Sequence, residues 1–96
     1  MKDKTVVITG ATSGLGRATA LQLARKGASV VAVARSNDRT KGLVDEIERT
    51  GGRAQGIIAD LSSMEETKGA AEAIAKAVER LDVLINNSLS AAQRDL

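Results

Sequence analysis

The sequence predicts an α/β fold, with about four parallel strands in the order 3-2-1-4 and helices on both faces of the sheet. Short β-branched apolar runs alternate with longer amphipathic stretches, giving βαβαβαβ. Strands apolar at nearly every position are buried on both faces, as parallel strands with crossover helices are. A glycine cluster separates the first apolar run from the first amphipathic stretch, where such sheets take up ligands. Right-handed crossovers leave few other arrangements.

Thr5-Val6-Val7-Ile8-Thr9 is the first strand, stopped by Gly10. Leu15 to Lys26 are helix formers with Leu15, Ala18, Leu21 and Leu23 as the apolar positions, and Gly27 ends them. Ser29 to Ala34 is the second strand. Thr40 to Thr50 reads as a helix with Leu43, Val44 and Ile47 inward, closed by Gly51-Gly52. Gln55 to Ala59 is a third strand, weakened by Gly56. Ser63-Met64-Glu65-Glu66 has capping-box spacing. The helix it opens shows the stripe Thr67, Ala71, Ile74, Val78 and Leu81. Asp82 to Asn86 is the fourth strand, and Asn87 to Leu96 has no period. Residues 1–87 therefore form one partial domain and residues 88–96 an irregular tail.

Composition narrows the chemistry. The 96 residues include no Cys, no His and no aromatic residue. Disulfides, thiolate catalysis and ordinary zinc sites are excluded. Asp, Glu and Lys alone remain for proton transfer, and no metal site is assigned. The 14 basic and 12 acidic residues are interspersed, for a net charge of +2. With no aromatics for stacking, a nucleic-acid partner is disfavoured. Behind a charged start the first apolar run is only Val6 to Ile8, too short for a signal peptide or a membrane segment. A cytoplasmic chain is expected.

Four strand ends gather the remaining candidates. Thr9-Gly10-Ala11-Thr12-Ser13-Gly14-Leu15-Gly16 joins strand to helix, with three glycines in seven positions. Glycines let such a loop turn and let a phosphate approach the helix amino end; the alternative is a flexible turn. Arg35 follows the second strand, where an acidic residue would hold a ribose 2′-hydroxyl. A guanidinium suits a 2′-phosphate instead, through charge-assisted bonds of about 1.5–3 kcal/mol. That favours NADP over NAD by roughly one to two orders of magnitude. The alternative is a solvated surface arginine; Arg17 and Asn37 stand by as helpers or as plain surface residues. After the third strand, Asp60 can accept from an adenine amino group with Leu61 against the ring, or simply serve the helix entry beside Ser62 and Ser63. Asn86 and Asn87 follow the fourth strand, as ribose contacts or as a polar strand terminus.

Thr-Gly-x-x-x-Gly-x-Gly at Thr9 to Gly16 resembles the fingerprint of the short-chain dehydrogenase/reductase family. Arg35 resembles its NADP-preferring members, and Asp60-Leu61 its adenine-contacting pair. Leu81 to Asn87 resembles the segment leading into its Asn-Asn-Ala-Gly motif. The resemblance runs from Lys4 to Asn87. It implies a Rossmann fold, a nicotinamide cofactor and hydride transfer between an alcohol and a ketone or aldehyde. It also implies a catalytic Ser, Tyr and Lys, yet this chain has no Tyr, and Asn87 is followed by Ser88 and Leu89. The expectation is a truncated reductase, inactive alone, with an unrelated end from Ser88. The fourth strand would then carry an open apolar edge, fit for self-association or for pairing with a full-length relative. A nucleotide-binding or interaction module acting through that edge is the rival function; a flavodoxin-like module would make the glycine spacing and Arg35 coincidences.

Overall fold

Thr5–Thr9 forms strand β1 (TVVIT), with Val6, Val7 and Ile8 wholly buried. In the computed structural model, which describes residues 4–12, 14–60, 62–77 and 81–86, six further elements follow. They are α1 (Gly14–Arg25), β2 (Ser29–Ala34), α2 (Asn37–Arg49), β3 (Arg53–Ile58), α3 (Met64–Ala77) and β4 (Val83–Asn86). The strands form one parallel sheet in the order β3-β2-β1-β4, as the sequence predicts.

Side chains alternate across a strand, so β1 and β2 feed two cores. Val6, Ile8, Val30 and Ala32 meet Ala20 and Ala24 of α1 and Leu43 and Ile47 of α2 on one face. Val7, Val31 and Val33 meet Ala70 of α3 on the other, with Ile57 and Ile74 packed alongside. Full burial of such a side chain contributes about 1.5–3 kcal/mol, so the two central strands carry much of the stability.

Three helix faces differ from the sequence reading. α1 turns Gly16, Ala20 and Ala24 to the sheet, while Leu15 is 71% exposed and Ala18 is exposed. Small residues four apart let the helix sit close to the strands, and Leu21 and Leu23 flank that contact. α2 begins at Asn37 rather than Thr40, because the Ser36 hydroxyl accepts the Arg39 N–H at 3.2 Å and caps it. Its inward face is Thr40, Leu43 and Ile47. α3 buries Ala70 and part-buries Ile74, whereas Thr67 and Ala71 are exposed. Val78 lies outside the described residues, and Leu81, 45% exposed, follows the helix.

β3 runs over Arg53–Ile58, and Gly56 sits there for packing. A Cβ at Gly56 would come within 2.6 Å of the Thr40 methyl of α2. The glycine thus admits the helix rather than merely loosening the strand. Gly52 likewise faces Ile47, 2.7 Å from a built Cβ.

Asp82 ties the start of β4 to that of β1. Its Oδ2 accepts the Thr5 N–H at 2.8 Å, and its own N–H donates to the Thr5 carbonyl at 3.0 Å. Lys4 stands 4.0 Å from the same carboxylate. These bonds help set β4 so that Thr9 pairs with Asn86. Among the described residues no helix is long and apolar enough to cross a membrane.

Candidate functional site

The register aligns the carboxyl ends of all four strands. Thr9 lies opposite Val33 on one side and Asn86 on the other, and Ala34 lies opposite Ile58. Whatever follows each strand therefore collects along one edge.

The loop after β1 is anchored at its first residue. Gly10 has φ of 63° and donates its N–H to the Val33 carbonyl at 2.9 Å. A side chain in that left-handed conformation would be strained by about 1–3 kcal/mol. The bond draws the loop against the end of β2. Thr9 and Ala11 are buried, and Thr12 is half-buried. Ser13 lies outside the described residues.

Gly14 opens α1, and a Cβ there would meet nothing within 4 Å. Leu15 projects beside it, largely exposed. Gly16 instead faces the sheet, where it brings the helix close. The first turn of α1 holds no acidic residue, whereas α2 has Asp38 and α3 has Glu65 and Glu66 in theirs. No acidic side chain of that turn opposes the positive end of the α1 dipole, and the first N–H groups of a helix lack helical partners.

Arg35 follows β2 with an exposed side chain, and no carboxylate pairs with it among the described residues. Arg17, a suggested helper, pairs with Glu46 of α2 instead. Asn37 is exposed in the first turn of α2.

Asp60 lies beyond β3, next to Ala59, whose N–H donates to the Ala34 carbonyl at 2.9 Å. Its Oδ1 accepts both the hydroxyl of Ser62 at 2.6 Å and the Ser62 N–H at 3.0 Å. These bonds hold the carboxyl below the ordinary carboxylate range, and the charge of Arg35 adds to the effect. Gly10, Arg35 and Asp60 thus lie along one edge of the sheet, past the ends of β1, β2 and β3. Asn86 ends β4 in register with Thr9. Leu61 and Asn87 lie outside the described residues.

One contact escapes the sequence reading. Capping-box spacing points Glu66 back to the Ser63 N–H, but its Oε1 accepts the Asp60 N–H at 2.9 Å. The Ser63 hydroxyl does accept the Glu66 N–H, at 3.3 Å, as capping predicts. The signal is present in the spacing; the partner lies three residues upstream of the cap, because the Ser63 N–H is engaged by the Asp60 carbonyl at 3.0 Å.

A family model described as short chain dehydrogenase matches residues 4–93. Over 86 residues the chain is 38% identical to a 3beta-hydroxysteroid dehydrogenase of Mediterraneibacter gnavus, covering 90% of this chain and 31% of that protein. It is 39% identical over 94 residues to an A-factor type gamma-butyrolactone 1′-reductase (1S-forming) of Streptomyces virginiae, covering 98% of this chain and 37% of that one. The crystal structure of a metagenomic short-chain oxidoreductase in complex with NADP matches with a TM-score of 0.82 at 34% identity. That match covers 88% of this chain and 38% of the other. The chain spans about a third of the length of these relatives. Matched in sequence and in fold along nearly its whole length, the chain belongs to the short chain dehydrogenase family.

Proposed function

We propose that this chain is the NADP-holding portion of a short-chain reductase. In this reading it grips the adenosine and pyrophosphate at the carboxyl edge of the sheet. The observation that carries the reading is Gly14. Its φ is not among the positive ones and, among the described residues, a Cβ would meet nothing within 4 Å, so no described contact calls for glycine there. A pyrophosphate lying over the amino end of α1 does call for one.

The other assignments follow from position. Gly10 would aim the loop, Thr9, Thr12, Ser13 and Leu15 would line the phosphates, and Gly16 would let the helix sit close. Arg35, exposed and without an ion pair, would take the 2′-phosphate through two N–H bonds. Asp60 with Leu61 would take the adenine, and Asn87 the ribose. The similar structure that holds NADP supports the choice of cofactor. NADP, when bound, supplies the hydride for exchange between an alcohol and a ketone or aldehyde. No Tyr exists in the chain to handle the accompanying proton, so this chain alone turns over no substrate.

Calorimetric titration tests the reading. NADP should bind about 10–100-fold more tightly than NAD, with no oxidation of NADPH by the chain alone. Equal or absent heats would contradict the assignment, and steady NADPH oxidation would contradict inactivity.

Leu84 favours a second reading. It is 60% exposed on β4, the terminal strand of the sheet. Among the described residues no strand pairs with the outer edge of β4, and such an edge can take a second copy or a full-length relative. Sedimentation should detect dimers that a Leu84→Lys variant lacks; a monomer at every concentration would remove this reading.

A further inference from the structure

We infer that Glu66 is a positioning residue for base recognition at this site, acting through the backbone of Asp60. The inference rests on the NADP reading above and extends it to the choice of base.

In an ordinary capping box the acidic residue three positions into the helix reaches back to the N–H of the cap residue itself. Here the Ser63 N–H is already satisfied by the Asp60 carbonyl at 3.0 Å. Glu66 therefore reaches past the cap, and its Oε1 takes the Asp60 N–H at 2.9 Å. The backbone of Asp60 is held at both ends, its N–H by Glu66 and its carbonyl by Ser63. Its side chain is held at Oδ1 by the two donors of Ser62, at 2.6 and 3.0 Å. Among the described residues only Oδ2 of that carboxylate is left for a ligand. Ser62, Ser63 and Glu66 thus leave Asp60 one outward acceptor in one orientation.

That arrangement discriminates between bases. Adenine presents an exocyclic amino group, a donor, whereas hypoxanthine presents a carbonyl at the same position. A fixed carboxylate oxygen accepts from the first and repels the second. A carboxylate free to swing would discriminate less, because it could turn away from the carbonyl into water. Fixing the acceptor before binding also lowers the ordering cost of making the bond. Glu66 touches no ligand in this account; removing it should loosen Asp60 without removing the carboxylate.

The test compares NADP with its hypoxanthine analogue by calorimetry on the whole chain and on Glu66→Ala and Glu66→Gln variants. Helix content and melting temperature are recorded in parallel. The unsubstituted chain should prefer NADP by about tenfold, since the analogue turns a carbonyl instead of a donor toward the Asp60 carboxylate. Glu66→Ala should shrink that preference by about 3–10-fold, and Glu66→Gln should largely restore it, because the amide oxygen can accept the same N–H. If Glu66→Ala weakens both ligands equally, or changes only the melting temperature, Glu66 is a helix cap and nothing more. A Glu66→Gln variant as indiscriminate as Glu66→Ala would also overturn the acceptor role. The NADP reading fails separately, through loss of any preference for NADP over NAD in the unsubstituted chain, and the inference falls with it.

Discussion

Arg35 and Asp60 carry opposite charges past the ends of neighbouring strands, and their surroundings set what each can do. Arg35 keeps its guanidinium in the open without an ion pair among the described residues, as a group awaiting an anion would. Asp60 is held ionised by the hydroxyl and the N–H of Ser62, with Arg35 adding to the shift. Because its pKa is lower in the folded chain, its contribution to stability is complete above the unfolded value. That contribution drains away as pH falls through the lower folded value. Carbon NMR of the Asp60 carboxyl should place its midpoint below the ordinary carboxylate range, and Ser62→Ala should raise it. A midpoint at or above that range would mean that the Ser62 bonds do not form in solution. Both residues were legible as types at positions, since each follows an apolar strand. The hold of Glu66 and Ser62 on Asp60 was not, because spacing reveals a capping acid but not which N–H remains for it.

At the scale of elements, the strands were the most legible part. β1 and β2 have the predicted limits because both are short apolar runs rich in β-branched residues, with Gly10 after the first and Gly27 just before the second. The helices were legible in existence but less so in orientation. A reading by apolar weight selects Leu15, yet close packing on the sheet selects Gly16, Ala20 and Ala24. In α3, alanines at 70, 71, 73 and 75 make two rotations look alike in sequence, and only packing shows that Ala70 is buried. The glycines separate folding from binding. Gly14→Ala should leave stability unchanged or raise it by up to about 1 kcal/mol, since alanine is the better helix former. The same change should weaken NADP by tenfold or more; a full-affinity Gly14→Ala variant would remove the pyrophosphate assignment. Gly56→Ala should do the opposite. With the Thr40 methyl 2.6 Å from the new Cβ, it should cost about 1–3 kcal/mol of stability in denaturant melts. Thr40→Ser should recover much of that loss, because it removes the methyl yet keeps the hydroxyl that donates to the Ser36 carbonyl. An undiminished Gly56→Ala single variant would contradict the close approach of α2.

For the whole molecule, two cores on opposite faces hold a sheet whose carboxyl edge is free to present loops. The strand order was legible because a parallel sheet with right-handed crossovers has few arrangements. Leu84, 60% exposed, lies on β4, the last strand of the sheet among the described residues. The central claim concerns the free edge: the amino end of α1 and the guanidinium of Arg35 act on one ligand, adenosine carrying an additional phosphate. Its most direct test is the ratio of NADP to NAD affinity, by calorimetry, in the chain and in Arg35→Ala. The account predicts a ratio of about 10–100 that falls to within a few-fold of unity in the variant, with NAD binding unchanged. A ratio that survives the loss of Arg35, or that never exceeds unity, would contradict it.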